Sequence, residues 1–174
     1  MISLSGFGYE ETLKNPIKVF ANTWKSKSFI NGPTVKEFEK KFAEYCEADS
    51  CVALSSCTSA LHLSLLALGV GPGDEVITVP YTWVSTAEVI KQVGAIPVFV
   101  DIALNDMCID PKEVTKKISK KTKAIIGVDL YGNVCDIDEL KKFNIPVIQD
   151  SAQSTGAYYK GKRVGSVADL TCFS

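Results

Sequence analysis

The sequence predicts an α/β domain with a mostly parallel β-sheet that is covered by helices on both faces. Short apolar strands alternate with helical segments from about residue 50 to the end of the chain. Parallel strands need long crossover connections, which are usually helices, so this alternation is typical of a parallel sheet. The chain has 174 residues, of which 46% are hydrophobic, and this is enough apolar surface for a sizeable core.

The first third of the chain predicts an arm, a helix and a strand. Residues 1–30 lack clear periodicity, which favours an N-terminal arm over a core element. Thr34 and Glu37 have the spacing of a capping box, and aromatic residues then recur at helical intervals to about Cys46. The apolar residues 51–54 predict a buried strand.

The rest of the chain continues the alternation. Strands are predicted at residues 76–79, 96–100, 124–130, 145–149 and 170–173, with a glycine-turned hairpin over residues 158–164. Helices are predicted at residues 58–68 and 85–92 and after two N-cap residues, Asp110 and Asp136. Gly69 and Gly94 follow the first two of these helices, where glycine commonly ends a helix.

Charge and composition limit the kinds of ligand and partner that we expect. The 19 basic and 20 acidic residues give a net charge of -1, so neither nucleic acid nor an anionic membrane is an expected partner and the ligand should be small. A leader or an apolar span long enough for a bilayer is not expected, which predicts a cytoplasmic protein. The six cysteines form no C-x-x-C pair and there is one histidine, so we expect reduced thiols and no metal site.

Open parallel sheets bind ligands beyond the carboxyl ends of their strands, and several polar segments fall there. Residues 55–59 supply hydroxyls and backbone N–H groups at a helix N-terminus, which suits a phosphate, although a simple helix cap is the alternative. Asp150 and Gln153 follow a strand, where Asp150 could pair with a cationic ring or merely cap a turn. Trp83 could stack on a flat ring or pack in the core.

A glycine pattern, a lysine pattern and the one histidine are each interpreted as structural rather than functional. The glycines at 69, 71 and 73 follow a helix and precede a strand, which is the reverse of a dinucleotide-binding fingerprint. The lysines at residues 116–123 lack interleaved aromatic residues and indicate a solvated helix surface rather than a nucleic-acid site. His62, within a leucine-rich helix, is expected to be packed or hydrogen-bonded rather than catalytic.

Taken together, the segments resemble the DegT-type (DegT/DnrJ/StrS) family of nucleotide-sugar aminotransferases, which depend on pyridoxal 5′-phosphate (PLP) and adopt the type I aminotransferase fold. The resemblance covers nearly the whole chain. It is carried by Gly32-Pro33-Thr34-Val35, Ser56-Cys57-Thr58-Ser59-Ala60-Leu61-His62-Leu63, Gly71-Pro72-Gly73-Asp74-Glu75-Val76-Ile77, Tyr81-Thr82-Trp83-Val84-Ser85-Thr86-Ala87, Pro97-Val98-Phe99-Val100-Asp101, Leu130-Tyr131-Gly132 and Asp150-Ser151-Ala152-Gln153.

The resemblance implies roles for six residues and a homodimeric enzyme. It implies that Thr58, Ser59 and Ser174 bind the cofactor phosphate and that Trp83 stacks on the ring. Asp150 would pair with the ring nitrogen as the catalytic acidic residue. In the family, an amino donor, usually glutamate, supplies the amino group that a nucleotide-linked keto-sugar accepts.

The resemblance also implies that Gln153 reaches the 3-hydroxyl of the cofactor. Two further positions, Cys57 and Asp129, depart from the commonest pattern of the family. Cys57 stands where glycine is frequent. Asp129 stands where histidine often precedes Leu-Tyr-Gly, and this change could alter contacts to the sugar or to a partner subunit.

The family's Schiff-base lysine follows the serine equivalent to Ser174 by about five residues. The resemblance therefore predicts that residues 31–174 form part of a large domain, without the small domain, and that the chain as printed is inactive. Two alternatives stay open at this point. A related sugar 3-dehydratase carries histidine at the lysine position, and a shortened chain could be a non-catalytic PLP-binding or interaction module.

Overall fold

The computed structural model describes residues 16–81 and 83–174, and it confirms an α/β fold. The helices are α1 (Pro16–Ser26), α2 (Pro33–Cys46), α3 (Cys57–Ala67), α4 (Val84–Gln92), α5 (Pro111–Lys117) and α6 (Ile137–Lys141), with a short 3-10 turn at Leu130–Gly132. The strands are β1 (Glu75–Thr78), β2 (Ile96–Phe99), β3 (Thr122–Val128), β4 (Val147–Asp150), β5 (Tyr158–Tyr159), β6 (Lys162–Arg163) and β7 (Leu170–Cys172).

Five strands form one sheet in the order β2-β1-β3-β4-β7, and all of its pairings are parallel. The remaining two, β5 and β6, form the antiparallel hairpin that the sequence predicted. Since the five strands run in the same direction, their carboxyl ends lie at one edge of the sheet. The predicted chemical segments at residues 80–81, 83, 129–133, 150–153 and 174 lie at or directly after the carboxyl ends of these strands, whereas residues 55–59 follow no strand of the sheet.

The core lies on both faces of the sheet. On one face, Leu61 and Leu65 of α3 pack in one cluster with Ile90 of α4 and with strand residues such as Val76 and Ile148. The neighbouring strand residues Ile77, Ile125 and Val147 enter a second cluster on the other face, with Val114, Ile137 and Leu140 of α5 and α6. Successive strand side chains point to opposite faces of the sheet, so a strand of consecutive apolar residues is buried on both faces. Each large aliphatic side chain buried in this way contributes about 1.5–3 kcal/mol.

The predicted caps hold at four helix ends. Asp110 accepts a hydrogen bond from the backbone N–H of Lys112, and Asp136 accepts one from that of Glu139. Beyond the C-terminal ends of α3 and α4, Gly69 and Gly94 have φ of 69° and 80°, which is the left-handed conformation that glycine adopts without steric cost.

The capping box predicted at Thr34 is wrong. Helix α2 begins at Pro33 with Gly32 as its N-cap, and no side chain caps it. Proline at the first helical position has its φ already set for a helix, so it fixes the start of α2 one residue before Thr34. A Cβ atom on Gly32 would lie 2.3 Å from the carbonyl oxygen of Ser28, so only glycine fits this approach.

The strand predicted at residues 51–54 is also wrong, because this described segment pairs with none of the strands. The backbone N–H of Ala53 donates instead to Glu39 Oε1 at 2.8 Å. In the segment predicted as an N-terminal arm, residues 1–15 lie outside the described chain and residues 16–26 form α1. The arm itself therefore stays a prediction.

A groove of about 800 Å³ borders the edge strand β7. Within the described chain β7 pairs only with β4, and the wall of the groove also includes residues 46–56. Val52 in that wall is 72% exposed. A strand with one unpaired edge beside exposed apolar side chains is a surface on which another chain can pair.

We therefore expect the purified chain to self-associate through this groove. Val52→Lys should reduce the association, because it replaces an exposed apolar side chain of the groove wall with a charged one. Leu104→Lys is the matched control, since Leu104 is equally apolar, is 88% exposed and lies outside the groove wall. Light scattering over a concentration series would measure the effect. A monomer at every concentration, or equal loss of association in both variants, would contradict the prediction.

Candidate functional site

One cavity of about 250 Å³ lies at the carboxyl-end edge of the sheet, against the N-terminus of α3. Five of the six residues singled out from the sequence line it, namely Thr58, Trp83, Asp150, Gln153 and Ser174. They are brought together from the N-terminus of α3, the loop after β1, the ends of β4 and β7, and the loop after β4. Ser59, the sixth, is not part of the cavity wall.

The N-terminus of α3 explains the position of Ser59. Ser56 is the N-cap, and its hydroxyl accepts a hydrogen bond from the backbone N–H of Ser59 at 3.1 Å. The Ser59 hydroxyl lies 3.0 Å from both the Ser55 and Ser56 hydroxyls. The helix-cap interpretation therefore holds for Ser56, while Thr58 lies in the cavity wall at the positive end of the helix dipole.

Asp150 is the buried carboxylate of the cavity, with 6% exposure. Its Oδ2 accepts a hydrogen bond from the Thr86 hydroxyl at 2.8 Å. Its Oδ1 has longer contacts, to Cys57 Sγ at 3.5 Å and to the backbone N–H of Ala152 at 3.4 Å. Burial and then the Asp150 charge raise the pKa of the Cys57 thiol well above its usual range. The cavity thus combines a buried acid with a thiol that stays protonated.

Trp83 is 71% exposed while lining the cavity, so the core-packing alternative is wrong for this residue. Its indole is available to a flat ligand at the cavity mouth. Thr86, in the first turn of α4, was missed by the sequence analysis, because its contact with Asp150 joins residues 64 apart in sequence.

Gln153 holds a strained backbone at the cavity rim. Its Oε1 accepts a hydrogen bond from the backbone N–H of Tyr131 at 2.9 Å. Tyr131 has φ 56° and ψ 24°, a left-handed conformation that is uncommon for a residue with a side chain. The Tyr131 hydroxyl lies 3.1 Å from that of Tyr81, and this hydrogen bond raises the pKa of Tyr81. Sequence patterns gave no sign of this pair.

Asp129 is fully buried at the end of β3, next to the cavity-forming loop. Its Oδ2 accepts hydrogen bonds from Gln149 Nε2, the Ser151 hydroxyl and the Ser154 hydroxyl at 2.8–2.9 Å, and its Oδ1 accepts one from the backbone N–H of Cys135. These contacts give Asp129 a structural role within this chain, and the effect expected from this change on contacts to the sugar or to a partner subunit stays a prediction. Burial raises the pKa of Asp129, although the four hydrogen bonds oppose the shift.

In residues 16–81 and 83–174, no group of three or more His, Cys, Asp or Glu residues is arranged to hold a metal ion. None of the helices in the same ranges is long and apolar enough to cross a membrane.

Comparisons with known proteins agree on one family. The model of the DegT/DnrJ/EryC1/StrS aminotransferase family matches residues 11–174. The UDP-2-acetamido-2-deoxy-3-oxo-D-glucuronate aminotransferase of Pseudomonas aeruginosa is 45% identical over 150 residues, which cover 84% of this chain and 42% of that protein. The GDP-perosamine synthase of Caulobacter vibrioides is 42% identical over 147 residues, covering 82% of this chain and 40% of that protein.

Solved structures give the same result. DesV of S. venezuelae superimposes with a TM-score of 0.90 at 36% identity, over 95% of this chain and 46% of that one. The PLP form of the Streptococcus pneumoniae protein Spr1654 superimposes with a TM-score of 0.86 at 39% identity, over 91% of this chain and 45% of that one. The chain thus spans less than half the length of the relatives that it matches.

The Asp129 hydrogen bonds should be important for stability. Asp129→Ala removes the acceptor of four donors, and buried donors without a partner cost about 1–3 kcal/mol each, so we expect a loss of at least about 3 kcal/mol. Asp106→Ala is the control, because Asp106 is half-buried and accepts from the backbone N–H of Cys108, and it should cost only about 1 kcal/mol. Urea unfolding would measure both. Equal losses would contradict the expectation.

The raised pKa of Asp129 also predicts a pH dependence. Ionising Asp129 costs more in the folded protein than in the unfolded chain. The stability that this group contributes is therefore complete below the unfolded pKa of about 3.9 and is lost as pH rises through the folded pKa. We expect the unfolding free energy of the unchanged chain, minus that of Asp129→Asn, to fall as pH rises across this window. Urea unfolding at a series of pH values tests the sign, and a difference that grows with pH would contradict it.

Proposed function

This chain belongs to the DegT/DnrJ/EryC1/StrS aminotransferase family, and we propose that it forms the cofactor-binding part of a PLP-dependent sugar aminotransferase. The enzyme would move an amino group from a donor, expected to be glutamate, to a nucleotide-linked keto-sugar. The observation that carries the proposal is the meeting of Thr58, Trp83, Asp150, Gln153 and Ser174 around one cavity.

The chemistry of these residues fits PLP, which combines a phosphate with a flat ring whose nitrogen can carry a proton. The N-terminus of α3 offers the Thr58 hydroxyl and a positive dipole end to a phosphate, and Ser174 adds a second hydroxyl. The exposed Trp83 indole suits stacking on a ring. Asp150 is an anion held at the cavity wall, where it would hold a proton on a ring nitrogen.

PLP, when bound, supplies an electron sink for the substrate carbanion, and a protonated ring is the better sink. The contribution of this chain to the reaction would therefore be electrostatic. A carboxylate and a cationic ring about 4 Å apart attract by about 4 kcal/mol at an effective dielectric of 20, before desolvation. Asp150 would supply this attraction, Gln153 would reach the ring hydroxyl, and Trp83 would shield one ring face from water.

The nucleotide-linked sugar is supported by the relatives. The names of the Pseudomonas aeruginosa and Caulobacter vibrioides proteins each contain a nucleotide-linked sugar, and the first also contains a keto group and an aminotransferase activity. A cavity of about 250 Å³ is small for such a molecule in addition to a cofactor, so the sugar would lie toward the rim. Tyr81 and Tyr131 lie there.

The homodimer is part of the same proposal. Helix α1 and the residues after it expose a row of aromatic side chains in which Phe20 stacks on Trp24 and Phe29 contacts Trp24 edge-on. All three are more than half exposed. Contiguous exposed apolar groups of this kind are typical of protein–protein contacts, so we expect a second subunit to cover this row as a surface separate from the groove beside β7.

Asp150→Asn tests the proposed function directly. The amide keeps the size of the carboxylate but loses its charge, so the affinity of the 174-residue chain for PLP should fall at least about tenfold, or 1.4 kcal/mol. Asp74→Asn is the matched control, because Asp74 accepts a hydrogen bond from the backbone N–H of Gly71 just before β1, at the opposite edge of the sheet. Its affinity should stay within about twofold. Equilibrium dialysis measures both, and unchanged affinity in Asp150→Asn would remove Asp150 from its role.

A further inference from the structure

The two oxygens of Asp150 are held in different ways. The Thr86 hydroxyl donates to Oδ2 at 2.8 Å, a normal length for a hydrogen bond between oxygens. Thr86 is 2% exposed and is not part of the cavity wall. Both groups that contact Oδ1, the Cys57 thiol and the backbone N–H of Ala152, belong to residues of that wall. Oδ1 is therefore the oxygen on the cavity side.

Cys57 is placed to control the direction of this oxygen. It is the first residue of α3, it is 8% exposed, and its Sγ lies 3.5 Å from Asp150 Oδ1. A carboxylate can only accept, so the thiol must be the donor. The backbone of α3 fixes the position of Cys57, and the hydroxyl of Thr86 on α4 donates to the other oxygen, Oδ2. The Asp150 carboxylate therefore contacts a side chain from each of two helices.

The protonation state of Cys57 agrees with this direction. Burial, followed by the charge of Asp150, raises the pKa of the thiol well above its usual range. The thiol therefore keeps its proton through neutral pH and remains a donor. Burial raises the pKa of the Cys172 thiol to about 11, and the charge of Asp150 makes a smaller contribution in the same direction. No hydrogen bond joins Cys172 to Asp150 in the described chain, since the Cys172 thiol contacts the Ser64 hydroxyl instead.

We propose that Cys57 is a positioning residue for Asp150, and that its thiol hydrogen bond, opposed by that of Thr86, turns Oδ1 toward the nitrogen of a bound ring. This inference rests on the proposed function for the identity of the ring. The contact between the thiol and the carboxylate does not, because it joins two residues of this chain. Cys57 does not touch the reacting atoms in this role; it acts through Asp150.

The first test uses infrared spectroscopy and no cofactor. The chain has six free thiols, so the S–H stretching band of Cys57 is obtained as the difference between the unchanged chain and Cys57→Ala. Hydrogen bonding lowers this frequency. The band should shift upward in Asp150→Asn, because a neutral amide oxygen is a weaker acceptor than a carboxylate. An unshifted band would overturn the proposal.

Cys46 is the matched control for that measurement. Its thiol is also buried, at 2% exposure, but it lies near Cys51 and Arg163 rather than Asp150. The band isolated with Cys46→Ala should stay in place in Asp150→Asn. If both bands shift together, Asp150→Asn has disturbed the core in general, and the specific contact proposed for Cys57 is overturned.

The second test measures PLP affinity by equilibrium dialysis. Cys57→Ala should weaken binding about threefold, because Oδ1 loses one of its holding groups, while Cys57→Ser should restore binding because it keeps a donor at the same place. Unchanged affinity in Cys57→Ala would overturn the positioning role. If the unchanged chain fails to bind PLP, the proposed function fails. In that case the infrared result still decides whether Cys57 holds Asp150.

Discussion

The arrangement of the site depends on the parallel pairing of β4 between β3 and β7. The register places Asp150 level with Val128 of β3 and with Cys172 of β7. Because the strands run in one direction, the chain leaves all three at the same height and the same edge. A slip of one residue in β4 would exchange the faces of Ile148 and Gln149 and would move Asp150 out of the cavity wall.

Two buried carboxylates next to each other on this edge have different environments. Asp129 is surrounded by four donors from its own chain, and the backbone N–H of Asp129 donates to the carbonyl oxygen of Asp150 at 2.9 Å. Asp150 has one short hydrogen bond and two long contacts, so it retains capacity to accept another donor. Asp129 is therefore saturated and structural, while Asp150 is partly unsaturated and faces the cavity.

Sequence reasoning succeeded where local rules decide the structure. Aspartate caps, helix-ending glycines and apolar strands were found because each depends on residues within one turn or one strand. The prediction of a strand at residues 51–54 failed, because an apolar run indicates a tendency to be buried but does not show that a neighbouring strand is present to pair with it. The partners of Asp150 were also beyond reach. Cys57 is 93 residues away in sequence and Thr86 is 64 away, so only tertiary packing brings them together.

The candidate site and the groove beside β7 are physically joined. Ser56 and Ser174 belong to the walls of both the 250 Å³ cavity and the 800 Å³ groove. A polypeptide that pairs with β7 would restrict the backbone around Ser174, which is also a proposed phosphate ligand. If such pairing raises the affinity for a ligand in the cavity, the ligand must strengthen the pairing by the same factor, because coupling between two binding events is reciprocal. Under that coupling, self-association and cofactor binding would each change the apparent strength of the other.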